Sequence, residues 1–159
     1  MPNFNPIGAL SEAEKRKIIE PPPMPQKNES KIIIGLTGPA AAGKEVVSGK
    51  LKEAGFNVFI FSDILRREAE ARGLLKGNPE EDRMILSKIG DIVRFISGKK
   101  GILAEVLVRE IMESPAQKFA VSGFRTEDEV FLFRKNFKNF RLVHVDAPAE
   151  VRFHRRLAE

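Results

Sequence analysis

Two glycines, separated by four residues and followed directly by a lysine, form the segment Gly38-Pro39-Ala40-Ala41-Ala42-Gly43-Lys44. This spacing is typical of a phosphate-binding P-loop, which stands between a strand and a helix. In such a loop the backbone N–H groups surround phosphate oxygens, and the following helix directs the positive end of its dipole at them. The lysine places its ammonium group against the terminal phosphates. The sequence therefore predicts that residues 38–45 bind nucleotide phosphates, rather than forming a plain turn.

Glu45 stands where a P-loop usually has a serine or threonine, whose hydroxyl binds Mg²⁺. A carboxylate is also a hard oxygen ligand, but it adds negative charge beside the nucleotide phosphates. Glu45 is therefore the candidate Mg²⁺ ligand.

Further charged residues follow predicted strands. Asp63 comes after the second strand and Arg125 after the third, while a basic helix after the fourth carries Arg152, Arg155 and Arg156. Guanidinium groups beside a P-loop lysine suit phosphoryl transfer, because its transition state spreads charge over several oxygens. Two structural alternatives stay open. Asp63 can simply cap a helix over residues 64–72, and the arginines can form a solvated face.

Four predicted strands alternate with helices, so these side chains should meet at the carboxyl ends of a parallel sheet. The first strand is rich in isoleucine, which predicts burial on both faces. The fold class is α/β, a three-layer P-loop NTPase fold with a mostly parallel sheet and helices on both faces. The predicted strands cover residues 32–34, 57–61, 118–122 and 141–145, and the predicted helices cover residues 43–54, 64–72, 79–97, 101–114, 127–137 and 149–159.

Composition and charge limit the protein class. The chain has 159 residues, 42% of them hydrophobic, which suits one domain with a real core. It has no cysteine and no apolar run long enough to span a membrane, so we expect a soluble, cytoplasmic protein without membrane contact. The net charge of +5 suits an anionic ligand. No nucleic-acid partner is expected, because the basic residues are scattered and there is no Trp or Tyr.

The chain divides into residues 1–29 and residues 30–159. The first part is predicted to be an extension, with a short helix over residues 11–20 and a stiff proline-rich linker over residues 21–25. The second part is the P-loop domain. Helices over about residues 64–114 form an insert between the second and third strands, and about residues 148–159 begin a further segment.

From Lys31 to its end, the chain resembles the P-loop kinases of nucleoside monophosphates, which are adenylate-kinase-like, and the related dephospho-CoA-kinase-like proteins. The resemblance is carried, in order, by IGLTGPAAAGK, SDILRREA, GFRTEDEV and VDAPAEVRFHRR. It implies ATP and Mg²⁺ as cofactors and a small-molecule, nucleotide-like acceptor. It also implies that the helical insert binds the acceptor and that residues 148–159 begin a mobile lid.

The resemblance assigns roles to single residues. Asp63 and Arg66 would contact the acceptor, Arg125 would contact its phosphate, and the last three arginines would belong to the lid. The catalytic set is Lys44, Asp63, Arg125, Arg152 and Arg156, and the acceptor-binding set is Asp63, Arg66, Arg94 and Arg125. Two positions depart from the family pattern: Ser122 replaces a common Asp, and Glu45 replaces the hydroxyl residue.

Three functions follow as alternatives: a kinase of a nucleotide or nucleoside monophosphate, a dephospho-CoA kinase, or a catalytically silent nucleotide-binding module. In the second case Asp63 would accept a proton from the hydroxyl acceptor. The resemblance also implies a fifth strand and a final helix that the sequence does not show. We therefore expect a truncated or shortened kinase core with one open sheet edge; the oligomeric state is left open.

Overall fold

The structure, a computed structural model, describes residues 28–158. The predicted helix at residues 11–20 and the linker at residues 21–25 lie outside the described residues. The described part contains four strands and six helices, with three helices in succession between the second and third strands. They are β1 (Asn28–Thr37), α1 (Lys44–Glu53), β2 (Asn57–Ile60), α2 (Phe61–Ala71), α3 (Pro79–Ser97), α4 (Ile102–Glu113), β3 (Lys118–Ser122), α5 (Glu127–Asn136), β4 (Phe137–His144) and α6 (Ala149–Leu157).

The four strands form one parallel sheet in the order β2-β3-β1-β4. In β1, Ile33 is in register with Phe119 of β3 and with Phe140 of β4. The strand that leads into the P-loop is thus central, which confirms the predicted α/β class with a parallel sheet. Within residues 28–158, β4 pairs with β1 alone.

The main core lies on one face of the sheet. Helices α2 to α5 pack there against side chains that include Ile33, Phe119 and Val121, all fully buried. Since side chains alternate along a strand, Ala120 faces the opposite layer, where α1 contacts β2 and β3. The predicted placement of helices on both faces is therefore confirmed.

Gly35 lies in β1 directly under the aromatic part of this core. A Cβ atom there would be 2.8 Å from one ring carbon of Phe124 and 2.8 Å from one of Phe140. These two rings have centroids 5.7 Å apart, and both pack against Phe133. The missing side chain at Gly35 therefore lets the rings close over the strand.

Four local predictions are corrected. Ile32 is 42% exposed, because α1 covers the β2–β3 half of its sheet face and leaves the β1–β4 half more open. Phe61 begins α2 rather than ending β2, and β4 begins at Phe137, four residues before the predicted start. On α3, the spacing of isoleucines 85, 89, 92 and 96 predicts one apolar face, but the buried apolar positions are 86, 89 and 93, and Ile96 is exposed.

Lys31 connects β1 to the segment after α4 by hydrogen bonds. Its Nζ donates hydrogen bonds of 2.6 Å to the carbonyls of Ser114 and Ala116, and it lies 5.3 Å from the centre of the Phe119 ring. Only 4% of Lys31 is exposed. This buried ammonium is therefore satisfied by backbone oxygens and an aromatic face.

None of the helices described between residues 28 and 158 is both long enough and apolar enough to cross a membrane.

Candidate phosphate-binding site

The P-loop leaves β1 at Thr37 and enters α1 at Lys44. Gly38 has a φ of +135° and passes so close to β4 that a Cβ atom would lie 1.9 Å from the carbonyl oxygen of Val145. The N–H of Val145 donates to the carbonyl of Thr37 at 2.8 Å. The first glycine of the motif is therefore required by the end of β4 as well as by any ligand.

The second glycine starts the helix. Gly43 is the N-cap of α1 with a φ of +106°, and no side-chain cap closes that end. The first-turn N–H groups of α1 are therefore not used by a capping side chain, which leaves the helix terminus suited to an anion. Between the glycines, Ala41 also has a positive φ, of 59°.

Lys44 bends back over the loop. Its Nζ donates to the carbonyls of Gly38 at 2.8 Å and Pro39 at 2.6 Å. Burial lowers the pKa of Lys44, the Glu45 carboxylate raises it, and the Arg125 guanidinium lowers it again. Lys44 and Arg125 follow β1 and β3, which are adjacent strands of the sheet. A bound anion would relieve this unfavourable proximity of like charges.

Arg125 is held beside the P-loop by its backbone. The N–H of Gly123 donates to the carbonyl of Leu36 at 3.1 Å, and the hydroxyl of Thr37 donates to the carbonyl of Phe124 at 3.2 Å. The side chain of Arg125 is exposed. The loop after β3 is therefore tied to the end of β1 while its guanidinium stays accessible.

The arginines of α6 differ in what they contact. Arg155 donates from Nη1 to the carbonyl of Ala41 in the P-loop at 3.0 Å. Arg152 donates from Nε to the carbonyl of Ala147, just before its own helix, at 3.0 Å. Arg156 is exposed. Thus Arg155, which the sequence placed in the lid but not in the catalytic set, is the arginine of this helix that contacts the P-loop.

Asp63 lies in the first turn of α2, just beyond the end of β2. It does not cap the helix, because Ile60 is the N-cap residue and no side chain caps that end. Burial raises the pKa of Asp63, the nearby Arg66 and Arg67 lower it, and Glu70 raises it. Arg66 is exposed on the same helix. The structure therefore brings these two predicted acceptor contacts together on one helix, and the N-cap interpretation of Asp63 is wrong.

Arg94, the third predicted acceptor contact, is placed differently. Its Nη2 lies 3.1 Å from Oε1 of Glu129, a carboxylate that is fully buried at the start of α5. The Arg94 side chain is only 16% exposed. The structure thus puts one predicted acceptor-binding residue in a buried ion pair.

An open cleft of about 690 Å³ adjoins Arg125. Its lining combines apolar side chains with two arginines, two carboxylates and the end of β1. The lining includes Thr37, Phe124, Arg125, Glu127, Asp128 and Arg134. Sequence reasoning missed Arg134, since no local motif connects it to the P-loop, and gave no role to Thr37, which lies directly before the loop.

The donor set fits Mg²⁺ only in combination with phosphates. Glu45 is an exposed carboxylate next to Lys44. Over residues 28–158, no three His, Asp or Glu side chains come together as a metal site. Mg²⁺ is often held by one or two carboxylates together with substrate phosphates, so a single Glu45 is a suitable protein ligand.

Comparisons with known proteins agree with this geometry. A protein-family profile described as an AAA domain matches residues 34–159. The chain is 34% identical over 124 residues to a UPF0200 protein of Methanothermobacter thermautotrophicus, covering 78% of this chain and 60% of that protein. It is 36% identical to a UPF0200 protein of Methanosarcina mazei, covering 77% of this chain and 63% of that protein. The chain thus spans a little over 60% of the length of these curated relatives, whose name states no activity.

A solved structure has a similar fold. The crystal structure of TT1252 from Thermus thermophilus superposes with a TM-score of 0.55 and 20% sequence identity, covering 81% of this chain and 72% of that chain. At this identity the likeness concerns the fold alone.

Proposed function

Since this chain belongs to the AAA domain family and has a P-loop between a central parallel strand and a helix, we propose that it is an ATP-dependent phosphotransferase acting on a nucleotide or nucleoside monophosphate. The observation that carries the proposal is the convergence of Lys44, Arg125 and Arg155 on one loop. Lys44 and Arg125 follow the adjacent strands β1 and β3, and Arg155 contacts the P-loop backbone. Three cations at a helix N-terminus suit the polyphosphate of a nucleotide.

Each charged residue of the site has its own role in phosphate binding and transfer. Lys44 neutralises the terminal phosphates. A bound anion favours the charged form of Lys44, because its negative charge offsets the effects of burial and of the nearby Arg125 guanidinium. Arg125 orients the transferring or accepting phosphate through its forked donors. Bound Mg²⁺ supplies further neutralisation of phosphate charge, with Glu45 as its protein ligand. No residue need form a covalent intermediate, because positioning and charge stabilisation dominate such transfers.

Asp63 favours a second candidate, transfer to a hydroxyl group as in a dephospho-CoA kinase. Burial raises the pKa of this carboxyl, which makes its ionised form a stronger base than an ordinary aspartate. A phosphate acceptor needs no such base, whereas a hydroxyl acceptor does. The role of Asp63 therefore separates the two candidates.

The test is acceptor-dependent ADP formation. The protein is incubated with ATP and Mg²⁺ together with AMP, CMP, UMP or dephospho-CoA, each alone. The proposal expects ADP that depends on one nucleoside monophosphate and is lost in Lys44→Met. Dependence on dephospho-CoA, with loss in Asp63→Asn, would favour the second candidate. Tight ATP binding without turnover for any acceptor would contradict both and indicate a catalytically silent module.

A further inference from the structure

A buried ion pair connects the helical insert to the loop that carries Arg125. Glu129, at the start of α5, is fully buried, and its Oε1 accepts from Nη2 of Arg94 at 3.1 Å. Arg94 belongs to α3, which the sequence assigns to the acceptor-binding insert. The pair therefore joins the insert to the catalytic edge of the sheet.

The second oxygen of the same carboxylate holds the loop itself. Oε2 of Glu129 accepts from the N–H of Arg125 at 2.7 Å and from the N–H of Thr126 at 3.1 Å. The N–H of Glu129 in turn donates to the hydroxyl of Thr126, which completes a capping box. One carboxylate thus binds Arg94 on one side and the backbone of Arg125 on the other.

The ion pair is not explained by packing alone. Nε of Arg94 is buried and makes no hydrogen bond, and its Nη1 is 3.9 Å from the exposed Asp91. A buried pair with incomplete hydrogen bonding is often less stable than apolar side chains of similar volume. Gly90 also preserves room for the guanidinium, since a Cβ there would be 3.2 Å from Nη1 of Arg94. Packing and hydrogen bonding therefore do not by themselves account for an arginine at this buried position.

We propose that Arg94 is a positioning residue that sets the place of Arg125 through the buried carboxylate of Glu129. The proposal rests on the proposed function, in which Arg125 contacts phosphate. The end of β1 fixes the other side of this loop, through the contacts of Gly123 and Phe124, so Arg125 lies between two anchors. Because one anchor is on α3, a shift of the insert is passed to the phosphate-contacting arginine.

A double-mutant cycle on phosphate binding tests the proposal. Inorganic tripolyphosphate is titrated by calorimetry into the parent, Arg125→Met, Arg94→Met and the variant carrying both changes. Arg125→Met is expected to weaken binding about tenfold, since it removes a charge-assisted contact. Arg94→Met is expected to weaken binding several-fold in the parent and not at all in the Arg125→Met background. Additive losses would overturn the proposal.

Two further variants guard against misfolding. Arg94→Met leaves the buried Glu129 carboxylate without its cation, so the double variant Arg94→Met/Glu129→Gln is also measured. The double variant removes the buried charge and keeps a side-chain oxygen that can accept from the loop N–H groups. Arg94→Lys is expected to restore part of the affinity, because it returns a cation to Glu129. The matched control is Arg67→Met, which breaks an ion pair of 2.8 Å with Glu110 between α2 and α4 and should leave affinity unchanged.

The outcomes distinguish this inference from the proposed function. If Lys44→Met abolishes tripolyphosphate binding while Arg125→Met has no effect, the P-loop is a phosphate site, and the phosphate contact of Arg125 and the positioning role of Arg94 are both overturned. If the parent does not bind tripolyphosphate, both proposals fail. If the cycle shows the expected coupling but no acceptor yields ADP, the positioning role holds for phosphate binding and the kinase proposal fails.

Discussion

The two glycines of the P-loop are expected to tolerate alanine very differently. Both have positive φ, +135° at Gly38 and +106° at Gly43, so either substitution strains the backbone. At Gly43 the nearest atom to a new Cβ would be Nη1 of Arg155, a flexible side-chain end 3.5 Å away. At Gly38 it would be the carbonyl oxygen of Val145, only 1.9 Å away.

The expected costs follow from these contacts. Backbone strain of this kind costs about 1–3 kcal/mol, which applies to both glycines. Gly38→Ala must also push the Val145 carbonyl from 1.9 Å to beyond 3.0 Å, a displacement of at least 1.1 Å. That movement disrupts the 2.8 Å hydrogen bond between Val145 and Thr37. A lost hydrogen bond of about 1 kcal/mol and overpacking of about 1–3 kcal/mol bring the total for Gly38→Ala to about 3–7 kcal/mol.

Denaturant unfolding and thermal melting of both variants provide the assay. The extra loss at Gly38, about 2–4 kcal/mol, should lower the melting temperature of Gly38→Ala by about 5–15 °C relative to Gly43→Ala. The comparison uses no nucleotide, so it depends only on the packing of β4 against the loop. If Gly38→Ala is as stable as Gly43→Ala, the close approach of Val145 is not a feature of the molecule and this reasoning fails.

Three further predictions concern charged side chains. Lys44→Met should weaken tripolyphosphate binding about 100-fold and leave the melting temperature within about 3 °C of the parent. The affinity falls because the partly screened attraction between the lysine and the phosphates is lost. Unchanged affinity measured by calorimetry would refute this prediction. Burial raises the pKa of Asp63 in the folded state, so the contribution of Asp63 to stability is present at low pH and is lost as the pH rises through the folded-state pKa. Asp63→Asn should therefore raise the free energy of unfolding at pH 7 but not at pH 3. Equal effects in denaturant titrations at the two pH values would contradict this prediction. Lys31→Met should lower the free energy of unfolding by about 1–3 kcal/mol, because the ammonium that donates to two backbone carbonyls after α4 is lost. Lys50 is exposed, so Lys50→Met should lower it by less than about 0.5 kcal/mol when both variants are measured by urea titration.

Elements with strong local signals could be predicted from the sequence. The pattern Asn-Pro-Glu-Glu from residue 78 predicts a helix start, and Asn78 caps α3 by accepting from the N–H groups of Glu80 and Glu81. The pattern Thr-Glu-Asp-Glu from residue 126 predicts the capping box that Thr126 forms at α5. A glycine at residue 98 predicts the end of α3, and Gly98 ends that helix with a φ of 64°. In each case the information lies within four residues of the helix end, so tertiary contacts were not needed.

The corrections come from long-range contacts. Phe137 joins β4 because it pairs with Asn28 at the start of β1, which no local pattern reveals. Asp63 does not cap a helix, because that helix begins at the buried Phe61, three residues before the predicted start at residue 64. The local sequence predicts Glu129 as part of a capping box, but its ion pair joins residues 35 positions apart in the chain. The P-loop was therefore predictable from its motif, whereas the support around Arg125 was not.

The order of the strands has a consequence for synthesis and folding. β1 is the first described element to be made, yet its partners Phe119 and Phe140 belong to the last third of the chain. A nascent chain must therefore carry its isoleucine-rich central strand unpaired until most of the sequence has been translated. Sheets built from such distant parallel pairings fold slowly and expose strand edges on the way. Because Val145 also shapes the turn at Gly38, the geometry of the P-loop depends on a residue that is made after all four described strands.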